Sequence, residues 1–95
     1  MATELLIDGM LSGTGIRDAI NGGYIEPKSL GLSGSLTRSI ASWQAQYEDA
    51  HFAGFSYDRV AELDREGEAL ASRLREELPN AKVGYFSDGL MKRLD

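Results

Sequence analysis

A single histidine, fifteen acidic residues and eleven glycines are the features of this 95-residue chain that invite a search for chemistry. His51 lies close to Glu48 and Asp49, a set that can move protons in general acid–base catalysis. The same position suits a histidine at a helix C-terminus, where the helix dipole favours its charged form. A serine nucleophile lacks its elbow: Gly31-Leu32-Ser33-Gly34 misses the Gly-x-Ser-x-Gly pattern by one residue. One histidine among scattered carboxylates is a poor zinc set, and no calcium loop with alternating oxygen ligands occurs. No metal and no cofactor are therefore expected. The absence of cysteine removes disulfides, thiolate metal sites and a thiol nucleophile.

Glycines form the second candidate. Leu5-Leu6-Ile7-Asp8-Gly9 followed by Gly13-Thr14-Gly15 places small residues after a short apolar run, where backbone N–H groups can approach a phosphate. The dinucleotide fingerprint then requires a third glycine, and Asp18 stands in its place. No Gly-Lys-Ser/Thr follows, so there is no P-loop. The acids Asp58, Glu62, Asp64, Glu66 and Glu68 read as a solvated helix face, with Asp64 and Glu68 sharing one side.

Aromatic residues form the third. His51-Phe52-Ala53-Gly54-Phe55-Ser56-Tyr57 puts three of them in a short connection, with Tyr24 in an earlier loop. Two readings stand. Phe52 and Phe55 plug the end of a helix pair, or Tyr24, Phe52, Phe55 and Tyr57 present a contact surface to another protein.

The elements that must carry these residues can be traced from spacing. Leu5–Ile7 predicts a buried strand. Met10 to Gly31 is loop-rich, with Ile16–Ile20 suited to a helical turn or a short strand and Asn21-Gly22-Gly23 to a turn. A helix is predicted from Ser33 or Ser35, its stripe Leu32, Leu36, Ile40, Trp43 and Tyr47, closed by Gly54. A second follows an N-cap at Ser56, its stripe Val60, Leu63, Gly67, Leu70, Leu74 and Leu78 with Ala71 beside it, and Pro79 stops it. Glu62–Arg65 and Arg73–Glu77 are expected surface pairs. Gly67 on the apolar stripe costs about 1 kcal/mol in helix propensity relative to alanine. It therefore implies a close approach, by Trp43 or another helix more readily than by a ligand. Lys82–Phe86 predicts a second strand, and residues 88–95 a last turn or a loose tail.

The formal charge of −5, with no basic run, opposes nucleic-acid binding and attraction to an anionic membrane. No run approaches the ~20 apolar residues of a bilayer span, and the first residues lack a signal-peptide pattern. A cytoplasmic setting is expected.

The pattern Leu30-x-Leu32-Ser33-x-x-Leu36, then Ile40-x-x-Trp43-x-x-x-Tyr47, then Glu66-Gly67-x-x-Leu70-Ala71-x-x-Leu74-x-x-Glu77-Leu78 and Val83-x-Tyr85, resembles a group of small uncharacterised bacterial proteins. The resemblance implies strand, variable loop, two helices and strand. It implies a bacterial or phage origin and no activity.

The expected architecture is one α+β domain over residues 1–95, with two long helices packed on a small sheet in the order β-loop-α-α-β. Exposed strand edges favour self-association, a homodimer included. The functional expectation is a cytoplasmic protein-interaction module, an immunity-type or regulatory inhibitor being one form. The rival is a small enzyme or ligand-binding protein using the Gly9–Gly15 loop with His51.

Overall fold

In a computed structural model, residues 3–94 are described. Four strands and two long helices follow in the order β1 (Thr3–Asp8), β2 (Ile16–Asp18), α1 (Gly34–Ala53), α2 (Tyr57–Glu77), β3 (Ala81–Ser87) and β4 (Lys92–Arg93), with a 3₁₀ turn at Pro27–Leu30. The fold is α+β, with the helix pair packed against a mixed sheet of order β2-β1-β3-β4.

β1 and β3 lie side by side and parallel, Leu5 opposite Val83 and Ile7 opposite Tyr85. Parallel neighbours need a long crossover, and the two helices between them supply it. The edge exposure anticipated for a two-strand sheet is met within the chain. Ile16–Asp18 pairs antiparallel with β1, and Lys92–Arg93 pairs antiparallel with β3. The tail thus becomes an edge strand, and Leu94 N–H donates to the Tyr85 carbonyl at 3.0 Å.

Both helices start where serine can cap them. The Ser33 hydroxyl accepts from Leu36 N–H and the Ser56 hydroxyl from Arg59 N–H. Gly54 ends α1 at φ +88°, left-handed geometry that suits a residue without Cβ. The helices run antiparallel: Glu77 at the end of α2 reaches back to Ser33 at the start of α1, at 2.7 Å to its N–H and 2.6 Å to its hydroxyl.

The core is formed by Leu36, Ile40, Trp43 and Tyr47 from α1, Leu63, Leu70, Ala71 and Leu74 from α2, and Leu5, Ile7, Ile16, Val83 and Tyr85 from the sheet. Gly67 lies where these layers come closest. A Cβ there would run into the Tyr85 ring and would sit 2.9 Å from Trp43 Cζ2. The glycine is thus explained by packing against both the partner helix and the sheet.

Neither expected surface pair forms. Glu62 is held by Arg59, and Arg73 bonds Ser35 and Ser39 while Glu77 takes Ser33. Spacings of three and four residues make contact possible, but a neighbour within α2 takes Glu62, and partners on α1 take Arg73 and Glu77.

Candidate functional site

Two clusters of polar groups are built at the C-terminal ends of β1 and β3, one on each face of the sheet. Alternation along β1 turns Leu5 and Ile7 toward the helices and leaves Leu6 and Asp8 on the opposite face. The same alternation along β3 turns Val83, Tyr85 and Ser87 inward.

The inner cluster centres on Asp64. Its Oδ1 accepts from Tyr85 O–H at 2.6 Å and Tyr47 O–H at 3.0 Å, and its Oδ2 accepts from Ser87 O–H at 2.7 Å. This corrects the reading of Asp64 as part of a solvated acidic face, for the residue is buried. The signal was present in the spacing. Asp64 stands four residues after Val60 and three before Gly67, inside the apolar stripe. Burial raises the Tyr47 and Tyr85 phenols above their ordinary value, and the Asp64 carboxylate raises both further. With every oxygen of Asp64 engaged, the cluster is a structural clamp between both helices and β3.

The outer cluster comprises Asp8, Arg17, Tyr24 and Asp88. Asp8 is fully buried and accepts from Met10 N–H at 2.9 Å, Tyr24 O–H at 3.3 Å and Arg17 Nη1 at 3.4 Å. Burial first and then the Asp8 charge push the Tyr24 phenol up to about 12. Asp88 is 2% exposed, and neither of its oxygens has a hydrogen-bond partner among the described residues. Its burial, reinforced by the Asp8 carboxyl, pushes it up to about 8. An Asp-Gly pair closes each strand, Asp8-Gly9 at the end of β1 and Asp88-Gly89 just after β3; Gly9 lies against Tyr47 and Gly89 against Val60.

Three amides of the glycine loop are already used: Met10 N–H on Asp8, Gly13 N–H on the Met10 carbonyl, and Ser12 N–H on the Glu48 carboxylate at 2.9 Å. A carboxylate in the position of an anion argues against a second anion there. Gly9 and Gly15 are small because Tyr47 and Ile40 press on them. His51 Nε2 lies 3.1 Å from the Gly9 carbonyl, and its ring packs edge-on against Phe55. It touches the loop as a brace and faces no nucleophile among the described residues.

The four aromatic candidates divide. Phe55 tucks against Tyr47 and His51 beside the core, as a plug would. Phe52 is 80% exposed and Tyr57 81%, so Phe52 does not share that role. Tyr24 is borderline, its ring against Gly13 and its hydroxyl on Asp8. Sequence reading missed Leu11, Leu90 and Met91, which are also exposed. The segments that carry Leu11, Phe52, Tyr57, Leu90 and Met91 lie at the same end of the molecule. His51 ties the end of α1 to Gly9, and Gly89 binds Tyr47 through its N–H and rests on Val60.

The sequence matches no known family and no curated protein.

Elsewhere a concavity of about 530 Å³ runs between the helices on their outer side. Arg73 is pinned there by Ser35 and Ser39. Among the described residues no group of three or more His, Cys, Asp or Glu side chains could hold a metal ion, and no helix is long and apolar enough to cross a membrane.

Proposed function

We propose that this chain is a protein-interaction module of the bacterial cytoplasm, a regulatory or immunity-type inhibitor, that grips its partner with the end bearing the α1–α2 connection. The observation that carries this reading is that Leu11, Phe52, Tyr57, Leu90 and Met91, five of the seven exposed large apolar residues, lie on the loop after β1, the two helix ends that flank the α1–α2 connection and the turn after β3. Exposed apolar side chains are ordinary singly, but a cluster rimmed by polar groups marks a contact surface. Phe52 and Tyr57 are of the type that anchors interfaces. Exposed Asp49 and Asp58 flank them, and with a net charge of −5 the partner fitted to this end is basic.

The surface is tested by paired variants. Phe52→Asp and Tyr57→Asp should leave the melting temperature nearly unchanged, because neither ring is in the core. Each should abolish recovery of a basic protein that the immobilised wild-type chain retains at low salt. Arg38→Asp, on the outer groove, should not. Equal recovery by all variants sinks the proposal. Sedimentation of the pure chain separates the homodimer: a dimer dissolved by Phe52→Asp would make a second copy the occupant.

A further inference from the structure

Asp88 presents a physical problem that the contact surface does not solve. A carboxyl group that is 2% exposed with both oxygens unpartnered is strongly disfavoured in its ionised form. The side chain that acts on it most strongly is another acid, Asp8, which is fully buried and already accepts from Met10 N–H, Tyr24 and Arg17. Two adjacent buried carboxylates cannot both be charged without strong repulsion.

The surroundings offer little relief. From β2, Arg17 approaches Asp8 at 3.4 Å with its side chain 40% exposed. From α2, the Asp64 carboxylate adds repulsion and is itself filled by three hydroxyl donors. From α1, the Tyr47 hydroxyl is engaged by Asp64 and Gly89, and His51 by the Gly9 carbonyl. From β4, Lys92 is exposed, opposite Ser87. A metal ion would need more oxygen ligands than two carboxyls, and Arg17 already occupies Asp8. A proton needs only the pair.

We propose that Asp8 and Asp88 form a proton-binding site, in which one proton on Asp88 satisfies both carboxyls at neutral pH and its loss in mild alkali releases the turn from Ser87 to Met91. With the proton present, Asp88 Oδ–H is the donor that the pair otherwise lacks, and the Asp8 carboxylate held by Arg17 is the acceptor. On deprotonation the O–H bond breaks and the proton passes to water. The second charge then falls on the turn anchored by Gly89 N–H on Tyr47 and Leu90 N–H on the Ser87 hydroxyl. Leu90 and Met91 ride on that turn, 46% and 69% exposed. The site is thus a pH-sensitive control of their presentation.

The test is a carboxyl-carbon NMR titration of the full chain, read together with amide hydrogen exchange at Gly89 and Leu90. Asp88→Asn assigns the Asp88 signal by removing it. The expected midpoint for Asp88 is about 8. Across it, protection at Gly89 and Leu90 should fall about tenfold beyond the base-catalysed trend of the other core amides. Asp88→Asn, whose amide donates at every pH, should hold that protection throughout. A midpoint near about 4, where a free aspartate titrates, overturns the site. A midpoint near 8 with unchanged protection overturns the release of the turn. None of these readings involves a partner, so they stand or fall apart from the contact surface.

Discussion

At the scale of single residues, Gly67 and Asp64 show how much energy rests on positions a propensity scale would mark as poor. Any side chain at Gly67 must displace the Tyr85 and Trp43 rings. Gly67→Ala gains about 1 kcal/mol of helix propensity and loses about 1–3 kcal/mol to overpacking. The expected outcome is a net loss for alanine and a much larger one for Gly67→Leu, read as the midpoint of urea unfolding. Asp64→Ala strips the acceptor from the hydroxyls of Tyr47, Tyr85 and Ser87 at once. Leaving buried donors unmade should cost about 3 kcal/mol or more. An unfolding midpoint equal to wild type would show that the three hydroxyls find other acceptors. The glycine was legible in the sequence because it interrupts an apolar stripe. The aspartate was passed over because its neighbours Glu62, Glu66 and Glu68 are exposed, and composition hides a single inward position.

Among the elements, the two serine caps separate local from tertiary contributions. Ser56 caps α2 alone, whereas Ser33 caps α1 and also binds the Glu77 carboxylate from the far end of α2. Ser56→Ala should cost about 1 kcal/mol and Ser33→Ala about 2 kcal/mol in chemical denaturation, within the range of helix caps. Equal losses would mean that the Glu77 contact adds nothing. Helix starts and stops were readable because caps and Gly54 act on their own chain neighbours. The ion pairs were misread for the converse reason, since Arg59, Ser33, Ser35 and Ser39 compete for the same charged groups. The two short edge strands were the least readable elements. Three residues at Ile16–Asp18 and two at Lys92–Arg93 carry too little periodicity, and only the neighbouring strand makes them extended.

For the whole molecule, the shifted groups define a stability profile. Asp88 is raised from 3.8 to about 8, so the stability it gives is full below about 4 and is lost as pH rises through about 8. Glu77 and Asp18 are lowered, the first chiefly by its bond to the Ser33 side chain and the second by the backbone N–H of Asn21. Their contributions are present above the ordinary carboxylate value and fade as pH falls through the shifted one. Both are exposed, so their effect is small. Thermal unfolding should therefore show higher stability at about pH 5 than at about pH 8, and Asp88→Asn should flatten that slope. A second loss should follow above about pH 10, where unfolded tyrosines ionise while Tyr24, raised to about 12, and Tyr47 and Tyr85 still hold their protons. Ultraviolet titration of tyrosinate alongside circular dichroism checks this. Tyrosinate forming in full with the fold intact would contradict it.

The sequence by itself determined the two helices, their caps and buried stripes, both main strands and the place of Gly67. Each of these is written in periodicity or in bonds between near neighbours. Only the tertiary structure decided that β1 and β3 lie parallel, that Asp64 turns inward and that Asp8 and Asp88 share a buried corner. It also decided that the segments carrying the exposed apolar residues lie at one end. Those outcomes depend on contacts between residues up to 80 positions apart, such as Asp8 and Asp88. A strand-ending Asp-Gly looks like an ordinary turn wherever it occurs. Sheet pairing is what places two of them side by side, and burial is what turns that proximity into chemistry.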